Sequence, residues 1–133
     1  MTTLYVDSSA LLKRVFVEAE SPAIRALLRH TNGAGDLLTA SSLAWLEVWR
    51  ALRRSGAANV ASLVGRAFAG IAEFPLSDSV LIEARRVGAD GLRTLDAIHL
   101  SSAIAVGADC VVTYDERLAE SVASAGIAVL APV

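Results

Sequence analysis

Along the 133-residue chain, short uninterrupted apolar runs alternate with longer stretches in which apolar residues recur every three or four positions. The first pattern suits buried strands and the second amphipathic helices. Their alternation predicts βα units built around a parallel sheet. Strands are expected near 3–6, 36–39, 110–114 and 127–130, with a weaker one near 73–76. Helices are expected over about 9–17, 21–30, 41–55, 58–71, 78–89, 94–106 and 116–124. The predicted fold class is α/β in three layers, with a central, mostly parallel sheet of four to five strands flanked by helices. At this length it forms a single domain over 1–133, large enough to bury a core without disulfides.

The punctuation agrees with this reading. Ser21-Pro22 opens a helix, TNGAGD at 31–36 is a loop, and Gly56, Gly107 and Gly126 fall where helices should stop. Neither GxGxxG nor GxxxxGK[ST] occurs, which weighs against dinucleotide and P-loop nucleotide binding.

In a parallel sheet the strands finish along one edge, and ligands bind in the crevice outside that edge. Asp7 ends the first apolar run, and Asp115 ends CVVTYD, with Thr113 two residues earlier on the same face. Asp96 falls in RTLDAIHL, inside the first turn of a helix expected to be capped by Thr94. Each of these acids suits an N-cap or a first turn, where carboxylates accept orphan amide hydrogens. Carboxylates meeting at one sheet edge also repel, unless a proton or a cation joins them.

Glu47 has two readings. On the wheel of SSLAWLEVWRALRR it shares a polar arc with Arg50, Arg53 and Arg54, opposite a stripe of Ala44, Trp45, Val48, Trp49, Ala51 and Leu52. The arc is either a solvated face carrying a Glu47–Arg50 surface pair, or a cleft wall with Glu47 facing a metal and Arg50 or Arg54 facing phosphates. His99, one turn after Asp96, reads as a hydrogen-bonded core histidine ahead of an Asp–His dyad, and His30 as a surface residue. Ser8 and Ser9 read as helix-capping residues, and no G-x-S-x-G elbow marks a nucleophile. Trp45 and Trp49, one turn apart, read as helix packing or a dimer surface.

Composition changes the picture in three places. Apolar residues make up 54% of the chain and aromatics 5%, so the core is built from Ala, Leu, Val and Ile, and the apolar surplus points to a covering partner. The net charge of −2 argues against a general nucleic-acid coat. Yet eleven of the twelve basic residues are Arg, and seven of these lie in 41–93. The single Cys110, within CVVTY, reads as a buried, inert thiol. With no apolar stretch long enough to span a bilayer and no export signal at the N-terminus, a cytoplasmic protein is expected.

Taken in order, YVDSSALLKR, TASSLAWLEVWRALRR, LRTLDAIHLSSA and VVTYDERL resemble the PIN-domain ribonucleases, specifically the VapC-type toxins of bacterial toxin–antitoxin pairs. The resemblance spans essentially the whole chain. It implies a metal-dependent endoribonuclease using Mg²⁺ or Mn²⁺, a homodimer, and an antitoxin partner. It maps the family's four acids onto Asp7, Glu47, Asp96 and Asp115, with Ser8 and Thr113 as supporting hydroxyls and Arg50 and Arg54 as candidate RNA contacts. Asp7 and Asp96 are then the expected direct metal ligands, with Asp115 and Glu47 completing the shell or orienting water.

Two rival functions remain. A haloacid-dehalogenase-like phosphatase would need an acid two residues after Asp7, where Ser9 stands. A catalytically silent PIN-like binding module would be expected to have lost acids that this chain keeps.

Overall fold

The computed structural model describes residues 1–133. Five strands, β1 (Thr3–Val6), β2 (Leu37–Ser41), β3 (Ala72–Phe74), β4 (Cys110–Val112) and β5 (Ala128–Leu130), form one sheet in the order β3-β2-β1-β4-β5. Every neighbouring pair is parallel. Between them run α1 (Ser8–Leu12), α2 (Ser21–Gly33), α3 (Ser42–Arg54), α4 (Val60–Ala67), α5 (Asp78–Ala84), α6 (Thr94–Ala105) and α7 (Glu116–Ser124).

All four residues of β1 are buried, because helices cover both faces of the sheet. This explains why the strand reads as an apolar run and not as an alternation. Leu4 and Val6 pack into a cluster with Ile24, Leu28, Val48 and Leu52 from α2 and α3. Tyr5 points to the other face, among Leu100, Ala103, Leu118 and Val122 from α6 and α7. From β1 the chain builds outward through β2 and β3 on one side and later through β4 and β5 on the other. The order therefore reverses between β1 and β4, and the crevice at such a switch point is where open α/β sheets bind ligands. Asp7 follows the central strand at that point, its amide donating to the Val112 carbonyl at 3.1 Å.

Several expected boundaries differ. Helices expected to reach 17, 71 and 89 end at Leu12, Ala67 and Ala84. After Leu12 and Ala84 the chain continues in tight turns with three-residue amide bonds, such as Arg14 to Leu11 and Arg86 to Glu83. Such turns keep apolar spacing close to that of a helix, so periodicity alone does not separate them. Thr94 is not the cap of α6. Arg93 occupies that position without a side-chain bond, and Thr94 is the first helical residue. On α3 only Leu43, Ala44, Val48 and Leu52 are buried. Trp45 stacks on Phe68, with ring centroids 3.8 Å apart, while Trp49 is 40% exposed and outside the stripe assigned to it. Cys110 is partly buried rather than fully enclosed. No helix is long and apolar enough to cross a membrane.

Candidate active site

Asp7 is both the end of β1 and the N-cap of α1, and it is only 3% exposed. Its Oδ1 accepts from the Ala10 amide at 3.0 Å and the Ser9 hydroxyl at 2.7 Å, while its Oδ2 accepts from the Thr113 hydroxyl. Thr113 lies just past β4, and its Oγ1 accepts the Asp115 amide at 3.0 Å. Ser9 also ties the two loops together, its hydroxyl accepting the Tyr114 amide at 2.9 Å. Asp115 in turn caps α7, with Oδ1 accepting the Leu118 amide at 3.0 Å. Both acids thus make the capping contacts expected of them, and the hydrogen bonds through Ser9 and Thr113 bring the two caps to one sheet edge.

The hydroxyl against Asp7 belongs to Ser9, not to Ser8. The helix start explains the difference. With Asp7 as N-cap, Ser9 and Ala10 are the second and third helical residues, the positions a capping carboxylate reaches.

Glu47 does not make the surface pair with Arg50 that the helical wheel allows. Its Oε1 lies 2.6 Å from Nε2 of His99, across from α6. His99 is 3% exposed, and its Nδ1 lies 2.7 Å from the Tyr5 hydroxyl, with the two rings edge to face at 5.9 Å. The histidine partner is therefore Glu47 and not Asp96. No sequence signal links positions 47 and 99.

Asp96, in the first turn of α6, feels other charges but accepts no protein hydrogen bond. Burial raises its pKa, the neighbouring Asp115 and Asp7 raise it further, and His99 and Arg93 oppose them. For Asp7, burial likewise raises the pKa, against the hydrogen bonds from Ser9 and Thr113 and the charge of His99. Burial lowers the pKa of His99, but the hydrogen bond and charge of Glu47, helped by Asp7 and Asp96, outweigh it, so the net direction is up. Asp7, Asp96 and Asp115, together with His99 and its partner Glu47, thus come from four separate segments and are linked by charge or by hydrogen bond.

No three His, Cys, Asp or Glu side chains lie close enough to hold a metal ion by themselves. Mg²⁺ is usually held by one or two carboxylates with retained waters and substrate phosphate, a requirement that two acids can meet. The donors are all oxygen, as a hard cation requires, and the carboxylate of Asp96 is free of protein hydrogen bonds. On the exposed face of α3, Arg50, Arg53 and Arg54 line an open cavity of about 330 Å³, with Arg50 one turn beyond Glu47.

The sequence model of the family described as PIN domain matches residues 4–123. The chain is 38% identical over 135 residues to a protein of Mycobacterium tuberculosis named Ribonuclease VapC46, covering 99% of each chain. Among solved structures, the sarcin-ricin loop cleaving toxin VapC20 of Mycobacterium tuberculosis superposes with a TM-score of 0.75 at 16% identity, covering 97% of this chain and 99% of that one. A chain of the VapBC2 complex from Rickettsia felis, bound to a DNA fragment from its promoter, gives a TM-score of 0.77 at 12% identity, covering 97% and 98%.

Proposed function

The chain belongs to the PIN-domain family, and from that premise we propose that it is an endoribonuclease toxin that hydrolyses RNA phosphodiester bonds with Mg²⁺ or Mn²⁺. The observation that carries the reading is the tether from Asp7 through Thr113 to Asp115 at the switch point of the sheet, with Asp96 under the charge of both acids.

When bound, the cation polarises the phosphoryl oxygen and lowers the pKa of an attacking water. Asp96 and Asp7 would hold it, and Asp115 and Glu47 would act through bound water, orienting the nucleophile. Ser9 and Thr113 fix the Asp7 carboxylate so that it does not have to reorganise during the reaction. Water is the nucleophile. Its oxygen bonds to phosphorus as the bond to the departing ribose oxygen breaks, and the proton the water gives up is balanced by one that the departing oxygen takes up from solvent. Arg50 and Arg54 contact backbone phosphates and set the register of the RNA.

Two partners belong to this reading. An antitoxin protein binds the chain and restrains its activity, a pairing supported by the likeness to a chain of the VapBC2 complex from Rickettsia felis. A second copy of the chain covers exposed apolar residues such as Leu81, Ile82, Leu95 and Ile104. The cytoplasm is the expected compartment. The phosphatase alternative is disfavoured because Ser9, at the position needing a general acid, commits its hydroxyl to Asp7 and Tyr114.

The experiment that tests the proposal is cleavage-site mapping on total cellular RNA. Wild type should cut at discrete sites, and EDTA or Asp7→Asn should remove the cuts. Purified, partner-free protein that never cuts RNA in either cation would favour the silent binding module.

A further inference from the structure

We propose that His99 is a positioning residue: held by the Tyr5 hydroxyl, it draws the Glu47 carboxylate off the face of α3 and fixes it toward the acid edge of the sheet. The inference rests on the nuclease reading above and adds the part that neither the acid set nor the helical wheel contains.

A carboxylate only accepts, so the hydrogen in the 2.6 Å contact between His99 Nε2 and Glu47 Oε1 sits on Nε2. In the neutral ring Nδ1 is then a lone-pair acceptor, and the Tyr5 hydroxyl donates to it at 2.7 Å. In the charged ring Nδ1–H donates to the phenol oxygen instead. The bond to Glu47 is the same in both cases, so the clamp does not depend on the charge of the ring.

The anchor is rigid. Tyr5 is fully buried in the central strand, and its ring meets the edge of the His99 ring. Asp7 follows β1 in extended backbone two residues after Tyr5, so the two side chains leave the chain on the same face. One strand thereby positions Asp7 directly and Glu47 through an imidazole, although Glu47 belongs to α3 on the opposite layer. Burying a polar pair costs desolvation that an apolar side chain would avoid. Carboxylates that serve metal sites are themselves held by hydrogen bonds, and losing the holder weakens metal affinity or activity about 10- to 100-fold.

The test measures Mn²⁺ affinity of RNA-free protein by electron paramagnetic resonance and, separately, kcat and KM on a cleavable RNA. His99→Leu should raise the Mn²⁺ Kd and lower kcat by about 10-fold or more, with KM for RNA changed by less than about twofold. His99→Gln, which keeps a donor toward Glu47, should recover most of the loss, and Tyr5→Phe should give a smaller loss in the same direction. In a Glu47→Gln background, His99→Leu should cost less than about twofold more, because the histidine acts only through that acid.

A folded His99→Leu protein with wild-type Kd and kcat overturns the inference, and so does full additivity with Glu47→Gln. If His99→Leu does not fold, Tyr5→Phe decides, and an unchanged Kd and kcat there overturns it. Wild type that takes up no Mn²⁺ defeats the nuclease reading itself, and the inference with it.

Discussion

The Thr113 hydroxyl donates to Oδ2 of Asp7, joining the ends of β1 and β4 across 106 positions of sequence. Both residues are almost fully buried. A carboxylate in that setting depends on its donors, because an unsatisfied buried acceptor bears its desolvation cost in full. Thr113→Val should therefore destabilise the fold by about 1–3 kcal/mol, measured by urea denaturation. An unchanged midpoint would mean that the hydroxyl does not hold the acid.

Asp96 predicts the opposite pattern. It accepts no protein hydrogen bond and is repelled by Asp115 and Asp7. Asp96→Asn should leave the melting temperature of metal-free protein unchanged or raised while cutting RNA cleavage by about a hundredfold or more. Loss of stability together with retained cleavage would remove Asp96 from the site.

How far these residues were legible before the structure varies with the kind of signal. The strands at 3–6 and 110–112 stand out because burial on both faces makes them continuously apolar, and an acid following such a run marks the sheet edge. Glu47 was ambiguous for a physical reason. A helical wheel sees neighbours three and four residues away and cannot see His99, which comes from another helix. Ser9 in place of Ser8 follows once Asp7 is known to be an N-cap, a geometry that the sequence allows but does not require. Beyond α1 and α5, tight turns continue the apolar spacing past the last helical bond, so periodicity alone does not mark where these helices end.

The pH dependence of stability has a definite sign. The carboxyls of Asp7 and Asp96 have folded-state pKa values above their ordinary 3.8, and His99 lies above its ordinary 6.5. All three favour proton uptake by the folded state. The His99 contribution is fully present below 6.5 and is lost as pH rises through its raised folded value, and the ionised acids oppose folding above theirs. The melting temperature of metal-free protein should therefore rise as pH falls from 8 to about 6. A melting temperature that instead climbs with pH over this window would contradict the assignment.

A cation should substitute for those protons. Millimolar Mg²⁺ or Mn²⁺ should raise the melting temperature at pH 8 and flatten the pH profile, because binding only the folded state stabilises it. No shift with either ion would argue against a metal site at the sheet edge.

The arginine face makes a separable prediction. Arg50→Ala and Arg54→Ala should raise KM for RNA several-fold with little change in kcat, and each should make binding less sensitive to salt. Equal losses in kcat and kcat/KM would place these side chains at the reacting phosphate instead.

The central claim is that acids from distant parts of the chain meet over one divalent cation at the β1–β4 crevice. Its most direct measurement is anomalous diffraction from a crystal soaked in Mn²⁺. The account predicts a manganese peak at the sheet edge, within ligand distance of Asp96 and at least one other of the four acids, or linked to them through bound water. A crystal with no peak at that edge, or with the acid oxygens more than about 10 Å apart, too far for ions spaced about 4 Å, would contradict it.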